Sequence, residues 1–132
     1  MREVTVMILI GHTLIPSEPF YQIETKTQIA QTPANATVSF TFNASLAEYC
    51  KAQNISFALH VKNIEELILA HALGASYFLV DKSLALQAQK IADDYLFDGK
   101  VLLKSNDNTE IEFAAIHSID GIIFEHGFTS LS

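Results

Sequence analysis

The chain has 132 residues, 49% of them hydrophobic and 17% charged, with 9 Phe, 4 Tyr and no Trp. That length suits one domain, and the apolar fraction is too high for disorder and large enough to fill a core. Eight Lys and Arg against 15 Asp and Glu leave a net charge of −7, the wrong sign for a sequence-independent nucleic-acid binder.

The first apolar run, Val4–Ile10, is far short of the roughly 20 residues of a membrane-spanning helix. It ends at Gly11-His12 with no small-residue cleavage site, so it does not read as an export signal. The single cysteine, Cys50, has no partner for an internal disulfide. These features lead us to expect a cytoplasmic protein without a membrane partner. Residues 11–36 follow, with Pro16, Pro19, the aromatic pair Phe20-Tyr21 and a polar run up to Asn35. They predict a long irregular connection with room for a short strand at Tyr21–Glu24. Connections of this length are usually functional or mobile, or cover a sheet edge.

From there the chain alternates. Apolar runs at Thr37–Phe42, Ile55–Val61, Tyr77–Val80, Lys100–Leu103 and Gly121–Phe124 are mostly continuous, as in strands covered on both faces. Between them lie helical spacings: Leu46, Tyr49 and Cys50; Ile64, Leu67, Ile68, His71 and Ala72; Leu84, Ala88, Ile91, Ala92 and Tyr95; Ile111, Ala114, Ala115, Ser118 and Ile119. Asn43, Asn63, Asp81 and Asn108 stand where N-caps are wanted. Gly74, Gly99 and Gly121 stand where a left-handed residue closes a helix. Strands recurring about every 20 residues fit βα units. The expected fold is a single α/β domain over residues 1–132: a three-layer sandwich, Rossmann-like or flavodoxin-like, with a mainly parallel sheet of about five or six strands. Ile8, Phe40, Phe57, Leu59, Phe78, Val80, Leu102 and Ile123 should form its core.

From Ile55 to Glu125 the chain resembles the later βα units of phosphate-handling TIM barrels. His60-Val-Lys-Asn-Ile-Glu-Glu-Leu, followed by Ala72-Leu-Gly-Ala-Ser-Tyr-Phe-Leu-Val-Asp81, is similar to the strand–helix–Gly-Ala–strand–Asp cadence of quinolinate phosphoribosyltransferases. Lys100–Lys104 and Ile119-Asp-Gly-Ile-Ile-Phe124 are similar to the units that come after. The likeness covers about half the chain and lies in residues that pack helix on sheet. Ser105-Asn-Asp-Asn-Thr109 stands where such barrels carry a glycine-rich phosphate loop, and eight βα units typically need about 250 residues. The resemblance implies shared βα packing and carries over no activity.

In open α/β sheets ligands bind beyond the carboxyl ends of the strands, where helix N-termini also favour anions. That rule gathers His12, His60 and His126 with Lys62, Lys82 and Lys104 at one rim, beside Asp81 and Glu125. We expect Lys62, Lys82, Lys104 and His12 to bind an anionic ligand. His60, Asp81, Glu125 and His126 are the candidates for acid–base work. Each has a plainer explanation: Asp81 as a helix cap, His71 as a hydrogen-bonded core histidine, His117 as a favourable charge at a helix C-terminus, and Cys50 as buried packing. His60-x-Lys62 matches half of the phospholipase D signature, but Leu67 stands where its Asp belongs. No spacing assigns a metal, and no HExxH, GxGxxG, GxxxxGK[ST] or GxSxG motif assigns a cofactor or nucleophile. The expected function is a non-catalytic module that binds a small anion, such as a phosphate, or a protein, with exposed sheet edges favouring a homodimer. The alternative is an enzyme acting on a phosphorylated or carboxylated metabolite by His/carboxylate chemistry, with or without a metal.

Overall fold

The computed structural model of the chain describes residues 6–131. Among them lie strands β1 (Ile8–Ile10), β2 (Phe20–Gln22), β3 (Thr37–Thr41), β4 (Phe57–His60), β5 (Tyr77–Val80), β6 (Lys100–Ser105), β7 (Gly121–Phe124) and β8 (Phe128–Ser130). Four α-helices link the middle strands: α1 (Ala44–Ala52), α2 (Ile64–Ala72), α3 (Lys82–Asp94) and α4 (Glu110–Ile116). Two 3₁₀ turns, Lys26–Gln31 and Glu125–Gly127, precede β3 and β8. Val4 and Thr5, expected to open the first strand, lie outside the described residues.

All strand pairings are parallel, in the order β1-β7-β6-β5-β4-β3-β2-β8. The parallel α/β class expected from the sequence is present, with eight strands rather than five or six. From β2 to β7 the order is sequential, without the reversal of a doubly wound sheet. Right-handed crossovers then place all four helices on one face. The other face has no second helical layer, because the sheet curls on itself. Phe20 of β2 and Tyr77 of β5 sit three strands apart, about 14 Å on a flat sheet, yet their ring centroids are 4.9 Å apart. His60 of β4 and Phe128 of β8 are also three strands apart, and their rings stack at 5.5 Å. Only the turn Glu125–Gly127 separates β7 from β8, though the two lie near opposite ends of the strand order. The sheet is therefore a small barrel with a seam beside β1. Eight strands fit into so short a chain because β7 and β8 are joined by three residues and the connections from β1 to β3 contain no α-helix.

Strand periodicity divides the residues between two cores. Phe57, Leu59, Phe78, Val80, Val101, Leu103 and Ile122 face outward, against Leu67, Ala70, Ala85, Ala88, Ala92 and Ala114 from the helices. Ile10, Phe20, Ala58, Leu79, Leu102 and Ile123 face inward and fill the barrel. Seven of the expected core residues are buried; Ile8 is half-buried at the seam.

The helix ends partly match their expected signals. Asn43 accepts from the Leu46 N–H at 3.0 Å and Asn63 from the Glu66 N–H at 2.8 Å. Asp81 occupies the N-cap position of α3 but makes no capping bond, and the N-cap position of α4 is Thr109 rather than Asn108, again without a side-chain capping bond. Gly74 is left-handed as expected (φ 90°), whereas Leu96 (φ 55°) and Ser118 (φ 54°) take that conformation in place of Gly99 and Gly121. The seam has its own glycine requirement. Gly11 has φ 84°, and a Cβ there would collide with the backbone nitrogen of Gly127. Only bare backbone lets the end of β1 meet the turn before β8.

Candidate functional site

In barrels of parallel strands, side chains that face inward at the carboxyl ends converge on the mouth. Here the inward positions two residues beyond the apolar plug are polar: Gln22 after Phe20, His60 after Ala58 and Lys104 after Leu102. They form a continuous chain of contacts. Lys104 Nζ lies 3.4 Å from His60 Nδ1, and His60 Nε2 lies 3.3 Å from Gln22 Oε1. Gln22 Oε1 also accepts from the hydroxyl of Ser39, a fully buried residue, at 3.3 Å. At the rim the carboxylate of Asp81 lies 3.6 Å from Lys104 Nζ. Phe128 stacks on the imidazole with 26° between the rings.

These partners fix the state of His60. Burial, and then the adjacent Lys104 ammonium, push its pKa down from 6.5 to about 4, with Asp81 opposing. At neutral pH the ring is uncharged. Lysine can only donate, so Nδ1 is the acceptor and Nε2 carries the proton given to Gln22 Oε1. Ser39 and His60 thereby both donate to one amide oxygen.

Of the residues singled out in the sequence, the structure brings His60, Asp81 and Lys104 together. The others are elsewhere. Lys62 is exposed beyond the end of β4, and its backbone N–H donates to Glu66 Oε1 at 2.9 Å. Lys82 reaches outward to Glu110 at 3.3 Å and lies over the Phe113 ring. His12 accepts from the Leu14 N–H at 3.0 Å, sits edge-on to Phe124, and shares with His126 the lining of a separate pocket of about 440 Å³. Glu125 is exposed; its N–H donates to Asn106 Oδ1 at 3.1 Å. His71 stacks on Phe97 at 3.8 Å, and His117 packs near Phe113. Cys50 is fully buried, and burial pushes its thiol up to about 11, so it stays protonated. Among the described residues, no group of three or more His, Cys, Asp or Glu side chains is arranged to hold a metal ion, and no helix is long and apolar enough to cross a membrane.

Gln22 and Ser39 carry no signal as single residues. Their signal is parity: Gln22 shares a strand face with Phe20, and Ser39 stands between the outward Val38 and Phe40 and pairs with Ala58, so both become readable once the inner face is known.

A second cavity of about 490 Å³ adjoins this mouth, at the carboxyl ends of β2, β3 and β8, and Gln22 belongs to both. No protein-family model matches the chain, and no curated protein matches it.

Proposed function

We propose that the protein binds a small anion, through a phosphate or carboxylate group, at the mouth of the barrel, and that Lys104 is the cation that receives it. The observation that carries this reading is the position of Lys104: an inward-facing lysine whose side chain is 29% exposed, held between a neutral imidazole and a carboxylate that is itself 78% exposed. An ion pair with so exposed a partner is weak, because water screens it and ordering two side chains opposes it. An incoming anion takes the place of Asp81, which swings into solvent. His60, itself held by Gln22, then keeps the ammonium in position.

The same geometry favours binding over turnover. A general acid or base works best with a pKa near the working pH, and an imidazole at about 4 is a poor base and is not protonated at pH 7. His60 acts in this reading as a fixed hydrogen-bonding group.

The test is thermal unfolding with inorganic phosphate or acetate at pH 7. A ligand at 100 times its Kd adds about 2.7 kcal/mol of stability. Lys104→Met should abolish the shift, whereas Asp81→Asn should enlarge it by removing the competing carboxylate. A shift that survives in Lys104→Met, or no shift with either anion, would overturn the proposal.

A further inference from the structure

We infer that the anion received at Lys104 is the charged end of a sugar, a polyol bearing a phosphate or carboxylate, whose hydroxyls occupy the adjoining cavity. This rests on the anion-binding reading and adds the identity of the uncharged part.

The cavity of about 490 Å³ is of small-ligand size, and Gln22, Glu24, Gln28, Thr41, Asn43 and Ser130 supply its polar lining. Three of these are carboxamides, and in each the oxygen is already engaged. Gln28 Oε1 accepts from the backbone N–H groups of Glu24 (2.6 Å) and Thr25 (3.1 Å). Asn43 Oδ1 caps α1 through the Leu46 N–H. Gln22 Oε1 takes the bonds from Ser39 and His60. With its oxygen tied to the protein, each amide has its orientation fixed, and its NH₂ group, two donors, has no partner among the described residues. The residues lining the cavity thus offer three amide NH₂ groups, the Glu24 carboxylate and two hydroxyls.

Few ligand chemistries match that set. A bare phosphate or carboxylate would satisfy the amides but face Glu24 unfavourably. A nucleobase needs an open aromatic face, and the one aromatic residue lining the cavity, Phe40, is only 3% exposed. A hydroxyl accepts twice and donates once, so neighbouring hydroxyls can take amide N–H bonds and still donate to Glu24. Gln22 links the two parts: it borders the cavity and ends the chain of contacts that begins at Lys104.

The experiment is calorimetric titration of the full chain with two pairs of probes, ribose 5-phosphate against inorganic phosphate and gluconate against acetate. We expect the sugar member of at least one pair to bind at least about tenfold more tightly, since each hydrogen bond gained is worth about 1 kcal/mol. The pair that shows it identifies the charged group. Asn43→Ser removes an NH₂ group, adds no charge and keeps a capping oxygen. Gln28→Glu keeps the oxygen that serves Glu24 and Thr25. Both should cut the preference for the sugar at least threefold. If phosphate or acetate binds in a Lys104-dependent way but neither sugar binds better, this inference fails and the anion site stands. A preference untouched by both substitutions also overturns it. If no probe binds, both readings fall.

Discussion

The two ends of the barrel interior are built from the same strands and differ in almost everything else. Below, Phe20, Ala58, Leu79, Leu102 and Ile123 fill the space as a dry plug. Above, one strand repeat later, Gln22, His60 and Lys104 hold one another through contacts of 3.3–3.4 Å. The plug gains from burying apolar area and needs no particular partner. The polar layer gains little net stability, because its bonds replace bonds to water. What it secures is orientation. Fold and site are therefore separable along each strand by a step of two residues.

That separation can be broken by substitution. Leu79→Ala, in the plug, should cost about 2–5 kcal/mol in chemical denaturation, through lost burial and the cavity left behind. Lys104→Met, in the polar layer, should change stability by less than about 1 kcal/mol while removing anion binding. Equal losses from the two would show that the layers are not distinct.

Acid should expose the same contrast. His60 has its pKa pushed down to about 4 when folded and ordinarily titrates near 6.5. Between these values the unfolded chain binds the extra proton, so stability falls as pH drops from about 6.5 towards 4, and His60 destabilises nothing above that window. His60→Gln should flatten this part of the pH–stability curve, measured by urea midpoints. The plug variant should shift the whole curve without changing its shape.

The smallest effect sharpens the comparison at the helix ends. Asn63→Ala should cost about 1 kcal/mol because it removes a capping bond. Asp81→Ala should cost less in thermal unfolding, since Asp81 makes no such bond to α3. Equal costs would mean that Asp81 caps its helix after all and is not held in reserve at Lys104.

The sequence makes the βα alternation legible because each strand and helix there is long enough to show its own period. β5 and β7 fall at the expected residues, Tyr77–Val80 and Gly121–Phe124. β8 escapes because Phe128–Ser130 is three residues long and follows a turn that itself reads as a strand end. Curling escapes for a different reason. It depends on which face carries small or polar residues across neighbouring strands, such as Ser39 beside Ala58, and that becomes visible only with the register. Of the candidate site, His60, Lys104 and Asp81 are recoverable from the strand-end rule. The same rule also selects Lys62 and Lys82: Lys82 is out of step with the inward Leu79, and Lys62, though in step with His60, lies beyond the end of β4, where the chain turns into α2. Gln22 is missed because an uncharged amide in an irregular stretch offers no chemistry until its neighbours are known.

The turn Glu125–Gly127 also sets the order in which the molecule can be completed. β2 leaves the ribosome early, yet its pairing partner β8 is made more than a hundred residues later. Until then the outer helices can pack on an open, curved sheet, and the plug has one side facing water. Closing it is a long-range event that comes late, so a chain paused before Phe128 presents to chaperones an apolar trough that the finished protein never displays.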